Sequence, residues 1–286
     1  MQTLFRGLLV GACLLAATAG SARADAVLER GRVLMEGIAA CGNCHTAFEQ
    51  GKPVPERGLS GGMKFDDGPF VAYAANITAD RETGIGRWTD KQLARAIREG
   101  IRPDGTLIGP PMPLELYRGM SDSDLKAIIA YLRAAPVVGN KVPKSEYKMA
   151  LPPSYGPPVR KVSAPSRKDP VRYGAYLAGP LGHCLECHTP MENGRRDYAG
   201  KSGAGGFVFN GPWGVSVSRN LTPHESGLKN WSDAEIARAI REGVSRDGSK
   251  LKPPMAYAFY RNINDEDMKA LITFLRSLKP VPFGGK

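Results

Sequence analysis

Beyond its first two dozen residues the sequence has no long apolar run, so no later segment is expected to span a bilayer. Cysteine is scarce: there are five, and only Cys41, Cys44, Cys184 and Cys187 lie beyond residue 24. Acidic residues are in the minority, leaving a formal net charge of +11. The basic side chains are scattered rather than clustered, which argues against a nucleic-acid partner and leaves acidic proteins or an anionic membrane surface, the latter peripheral only. What is present at the N-terminus reads as an export signal. Arg6 precedes an apolar stretch from Gly7 to Ala19, and Ala22-Arg23-Ala24 supplies a small-x-small cleavage pattern before Asp25. The apolar stretch is too short for a membrane anchor, and cleavage would remove Cys13. The expected location is therefore the periplasm. That compartment would make disulfides the default use of cysteine, but the spacing of the remaining four points elsewhere.

The chain repeats itself. Ala94 to Gly100 recurs unchanged as Ala237 to Gly243, 143 positions later. Gly31 and Gly174, Cys41 and Cys184, and Trp88 and Trp231 share that offset, while Asn76-Ile77-Thr78 and Asn220-Leu221-Thr222 are 144 apart. Between the copies, residues 136–165 are rich in proline, which has no amide hydrogen to donate and resists helix, so an extended connector is expected. Each copy shows helical periodicity. A first helix is expected around 27–38. A middle helix is capped by Thr89 or Ser232 and ends near Gly100 or Gly243. A last helix starts at Ser121 or Asn264, each followed three residues on by Asp in a loose capping-box variant. The glycine-rich stretches 62–76 and 206–220 have room for a short hairpin.

The cysteines fall into two identical frames, Cys41-Gly42-Asn43-Cys44-His45 and Cys184-Leu185-Glu186-Cys187-His188. C-x-x-C-H is the attachment pattern of haem c, because two thiols add across the vinyl groups of one porphyrin and the next imidazole then lies over the iron. A redox disulfide or a shared zinc site competes for one frame but leaves the rest of the repeat unexplained. Two covalently bound haem c groups are the expected cofactors, with His45 and His188 as iron ligands. For the second iron ligand, methionine is usual in such proteins. Met112 and Met255 each follow two prolines and stand 67 residues after His45 and His188, whereas Met63, Met120 and Met191 have no methionine in the other copy. The expected metal ligands are thus His45, Met112, His188 and Met255. His183 and His224 lack counterparts and read as surface residues. Asn76, Asn220, Trp88 and Trp231 read equally well as haem-propionate donors and as turn or core residues; Arg219, beside Asn220, is a further candidate to pair with a propionate, although its counterpart is Ala75.

These residues resemble the class I cytochrome c family in a tandem dihaem form. The motifs Asn76-Ile77-Thr78, Gly84-Ile85-Gly86-Arg87-Trp88 and Pro111-Met112-Pro113 are similar to those of cytochrome subunits from bacterial membrane-bound alcohol and sugar dehydrogenases. The resemblance implies an all-α fold of two tandem cytochrome c-like haem domains joined by a Pro-rich linker: 25–135, a linker over 136–165, and 166–286. It also implies first and last helices that cross closely at Gly31 and Gly174, with Tyr131 and Phe274 nearby. With both irons closed by His and Met, the expected role is electron transfer, not catalysis. Electrons would pass from a periplasmic or membrane-bound dehydrogenase to a respiratory acceptor such as another cytochrome or an oxidase. The alternative is a haem enzyme, a dihaem peroxidase or a thiosulfate-oxidising cytochrome, which would need an open iron or a cysteine ligand.

Overall fold

A computed structural model describes residues 22–50, 52–192, 194–211 and 213–285. The expected export signal falls almost wholly outside the described residues. Helix α1 covers 22–35 and gives way to a turn over 36–39, so it ends before the expected 38. The short α2 (Gly42–His45) follows, then strands β1 (Phe48–Glu49) and β2 (Lys52–Pro53), a 3-10 turn (Pro55–Arg57), β3 (Lys64–Asp66) and β4 (Phe70–Tyr73). Next come α3 (Asp90–Glu99), α4 (Leu114–Tyr117), α5 (Asp122–Ala134) and β5 (Glu146–Tyr147). The second copy contributes α6 (Pro170–Tyr176), a π-helical turn (Leu177–Leu181), α7 (Cys184–Cys187), β6 (Met191–Glu192), β7 (Arg195–Arg196), β8 (Val208–Gly211), β9 (Gly214–Val217), α8 (Asp233–Glu242), α9 (Tyr257–Tyr260) and α10 (Asp265–Ser277).

The all-α expectation is corrected. The helices stand beside small antiparallel sheets, β1-β2, β3-β4-β5, β6-β7 and β8-β9, so the fold is mixed. The glycine-rich stretches are responsible. Gly68 (φ 72°) and Gly214 (φ 83°) sit in turns that need a left-handed backbone, and the chain on either side pairs with itself. The expectation of two tandem domains is corrected with it. Buried apolar residues do not separate at the linker: Leu34, Ile128, Tyr176, Leu177 and Leu271 belong to one continuous cluster. Polar ties cross the same boundary. The Tyr176 hydroxyl of α6 accepts from the Ser121 amide at 3.0 Å and donates to Asp124 Oδ2 at 2.8 Å.

Local chemistry explains why the helices begin and meet where they do. Thr89 accepts from the Gln92 amide while Gln92 returns a bond to the Thr89 amide, and Ser232 with Glu235 does the same, so both middle helices open on full capping boxes. Ser121 and Asn264 cap α5 and α10 by accepting from the Asp124 and Asp267 amides. The reciprocal backbone half of these two boxes is absent: Asp124 accepts from Arg30 Nε at 2.8 Å, and Asp267 accepts from Arg167 Nη1 at 2.8 Å and from the Asn264 side-chain amide at 3.1 Å. The linker is extended and lies against the first copy. Its Val138 carbonyl accepts from Asn76 and Thr78, Tyr155 donates to the Ile108 carbonyl, and β5 adds a strand to β4.

The close helix crossings are real. A Cβ on Gly31 would come within 2.1 Å of the Ala127 carbonyl oxygen, and one on Gly174 within 2.0 Å of the Ala270 carbonyl oxygen; Tyr131 and Phe274 lie alongside. No side chain can be fitted without separating the backbones of α1 and α5, or of α6 and α10. Gly174→Ala is therefore expected to destabilise the folded protein by about 1–3 kcal/mol, read as a lower midpoint in thermal or denaturant unfolding of the holoprotein. An unchanged midpoint would show that the crossing can widen without cost.

Candidate functional site

Between the helices lies one cavity of about 960 Å³, lined by residues of both copies. That is near the upper end of the roughly 300–1,000 Å³ usual for ligand sites. All eight residues singled out by spacing line it: Cys41, Cys44, His45 and Met112 from one copy, and Cys184, Cys187, His188 and Met255 from the other.

Each cysteine-histidine frame is presented by a single helical turn, α2 or α7. The residue before each first cysteine, Ala40 (φ 44°) or His183 (φ 40°), takes a left-handed conformation, which turns the chain sharply into that helix. The histidines are fixed by backbone. His45 Nδ1 is 2.8 Å from the Ala75 carbonyl oxygen and His188 Nδ1 is 2.6 Å from that of Arg219. A carbonyl only accepts, so each Nδ1 carries the hydrogen and each Nε2 keeps its lone pair for a metal. Burial lowers the pKa of both imidazoles, which favours the neutral, ligating form. Burial also pushes the thiols up, Cys41 and Cys187 to about 12, Cys44 and Cys184 to about 11. All four are unpaired.

Among the described residues, no three His, Cys, Asp or Glu side chains converge as a metal centre of those ligands would require. A zinc ion shared by the two frames therefore has no geometric support. Mostly apolar walls, paired free thiols and an imidazole lone pair suit a large, flat, covalently held porphyrin. The Met112 and Met255 loops lead directly into α4 and α9, with the Leu114 amide donating to the Met112 carbonyl and the Tyr257 amide to that of Met255. Met191 is 45% exposed and lies outside the cavity lining. Met120 lines the cavity but is fully packed into the core.

The open choice for the paired asparagines is now decided. Asn76 spends both amide hydrogens on Thr83 and the Val138 carbonyl and its oxygen on Thr78; Asn220 spends them on Ser226, the Val281 carbonyl and Thr222. They hold turns and have no donor left for a cofactor. Trp88 and Trp231 do line the cavity. His224 is a turn residue bonded to Ser226. His183 is half-buried rather than a free surface residue: it stands edge-on to Tyr117 at 6.0 Å, with Nδ1 3.4 Å from Glu186.

Of the two cavity arginines, the sequence raised Arg219 and missed Arg102. Arg102 and Arg219 both line the cavity, although their counterparts are Ser245 and Ala75. Arg219 Nη1 is 3.3 Å from the Ser245 hydroxyl, so it reaches the position that mirrors Arg102. Each copy thus supplies one guanidinium from a different point in the sequence, a substitution that residue-by-residue alignment cannot show.

The two halves of the cavity also interlock. Asn43, between Cys41 and Cys44, donates to the Pro254 carbonyl at 3.2 Å, one residue before Met255. Gly42 lies so near Phe259 of α9 that a Cβ would meet the ring at 2.6 Å.

Comparison with known proteins agrees with this geometry. The family described as cytochrome c matches residues 174–279. The chain is 31% identical to the cytochrome c subunit of a quinone alcohol dehydrogenase from Gluconobacter oxydans, over 95% of its own length and 59% of that protein. It is 29% identical to the cytochrome subunit of a fructose dehydrogenase from Gluconobacter japonicus, over 88% of its own length and 52% of the relative. It thus spans little more than half of those two proteins. A dihaem c-type protein of Cereibacter sphaeroides is 30% identical, with 84% of this chain and 82% of the relative aligned.

Proposed function

The chain belongs to the cytochrome c family, and from that premise we propose that it carries two covalent haem c groups and passes electrons from a periplasmic or membrane-bound dehydrogenase to a respiratory acceptor. The observation that carries this reading is the convergence of both cysteine-histidine frames and both proline-methionine loops on one apolar cavity. Haem c, when bound, supplies one-electron chemistry by cycling between ferric and ferrous iron. Cys41 and Cys44 would hold one group and Cys184 and Cys187 the other. His45 and His188 offer Nε2 to iron, their rings fixed by the Ala75 and Arg219 carbonyls. Met112 and Met255 would each offer a thioether sulfur as a second iron ligand. Arg102 and Arg219 offer positive charge to propionates. The mostly apolar lining would limit water around the groups, which lowers the reorganisation that a change of charge demands.

The dehydrogenase names of the relatives support such a donor. No described helix is long and apolar enough to cross a membrane. Periplasmic export rests on the N-terminal pattern.

A ligand titration tests closure of both irons. Resting ferric holoprotein is expected to show no tight cyanide or peroxide binding by absorption spectroscopy, because methionine must first leave. Stoichiometric tight binding at one haem would instead favour a peroxidase-like enzyme.

A further inference from the structure

The two hairpins beside the cavity share a register but not an edge. In the first, Lys64 faces Tyr73 and Asp66 faces Val71; in the second, 144 positions on, Val208 faces Val217 and Asn210 faces Val215. The first hairpin is completed by β5. Glu146 stands opposite Val71 and Tyr147 opposite Phe70, the Tyr73 amide donates to Ser145 Oγ at 3.0 Å, and the Lys148 amide donates to the Pro69 carbonyl at 2.9 Å. The Tyr147 ring lies on Gly109, where a Cβ would come within 2.5 Å of it, and its hydroxyl donates to the Pro110 carbonyl at 3.1 Å. A third strand thus closes over the loop that carries Met112.

On β9 no third strand pairs among the described residues. Val208 is 51% exposed, and Val215 and Val217, which border the mouth of the cavity, are 56% and 45% exposed. An unpaired, apolar edge is an invitation to another strand, and folded proteins usually cover or charge it. Here one charge stands guard. Lys252 occupies the position of Gly109, and its Nζ donates to the Val215 carbonyl at 3.2 Å, while Lys250 is exposed nearby. The edge lies beside the second centre, because Ser216 Oγ donates to the Pro253 carbonyl at 2.7 Å, two residues before Met255.

We propose that β9 is the docking edge for an extended, acidic segment of the redox partner, which adds as an antiparallel strand in the register that β5 takes on β4. The incoming residue equivalent to Tyr147 meets an ammonium in place of a bare glycine. A carboxylate there pairs with Lys252 and frees the Val215 carbonyl for the incoming backbone. Main-chain hydrogen bonds supply the affinity, and the lysine selects the side chain. Naming the occupant a redox partner rests on the electron-transfer reading; strand addition itself does not.

The test uses isotope-labelled holoprotein and two synthetic peptides: residues 142–150 of this chain, and the same peptide with Tyr147→Glu. The Glu peptide is expected to shift and protect the Val215 and Val217 amides, leave β4 unchanged, and bind about threefold more tightly than its parent, the size of an exposed charge pair. In Lys252→Gly the order of the two peptides should reverse, because the bare glycine on which a tyrosine ring can lie is restored. Three results would overturn the proposal. They are unperturbed β9 amides at about 1 mM peptide, a concentration that would populate even weak binding; an unchanged preference in Lys252→Gly; or amide protection that rises with protein concentration alone, which would make a second copy the occupant. Haem content and midpoint potentials are read on the same samples. A failed strand addition with intact redox cycling therefore leaves the electron-transfer reading standing.

Discussion

Met255→Ala is expected to lower the midpoint potential of one haem by on the order of 0.1–0.2 V while leaving the other nearly unchanged. Thioether sulfur is soft and uncharged, so it favours ferrous over ferric iron, and its loss shifts the balance toward the oxidised form. Met112→Ala should do the same at the other centre. Both loops enter the cavity beside a short helix, α4 or α9, and alanine there removes the sulfur without removing backbone. A redox titration followed by absorption resolves the two centres, and the methionine–iron charge-transfer band reports the ligand directly. Persistence of the full band in both variants would refute the assignment. Met120→Leu is the useful control, since Met120 is 2% exposed and fills the core; it should leave the potentials in place.

The second large effect is expected from the double substitution Cys184→Ser and Cys187→Ser. Serine hydroxyls do not form the thioether bonds, so covalently bound haem should fall to half, measured by intact mass and by haem staining after denaturing electrophoresis. Retention of both groups would overturn the assignment of that frame. The loss should also destabilise the whole chain, because the vacated half of the cavity is walled by Leu271, Leu275 and Ile236, whose apolar surface would face water or collapse. The buried thiols of Cys41 and Cys44 would remain available for the other group.

Much of the site was legible in the sequence, because its chemistry depends on spacing within a few residues. C-x-x-C-H and Pro-Pro-Met are local patterns, and the 143-residue offset picked out one methionine per copy. Helix starts were legible for the same reason: Thr89, Ser121, Ser232 and Asn264 all cap as expected. What escaped was what depends on distant partners. The role of Asn76 is set by Val138, and that of Asn220 by Val281, each about sixty residues away. Arg219 reaches the position that mirrors Arg102 from an unrelated point in its own copy, a relation no alignment of the copies shows. The all-α reading gave way although a hairpin was expected in each glycine-rich stretch, where β3-β4 and β8-β9 form; the two-residue strands carry too little pattern to register. A duplicated sequence also suggested separable units, whereas the apolar faces of the two copies close on one another.

The bond from Asn43 to the Pro254 carbonyl has a thermodynamic corollary. It ties the loop of Cys41 and Cys44 to the loop of Met255, so in the proposed two-haem form a change of oxidation state that tightens or relaxes one ligand set would do work on its neighbour. Such coupling is reciprocal: whatever reduction of the first centre does to the second, reduction of the second does equally to the first. In the proposed two-haem form the two potentials would be properties of the pair, and the order in which electrons arrive would be set jointly by both centres.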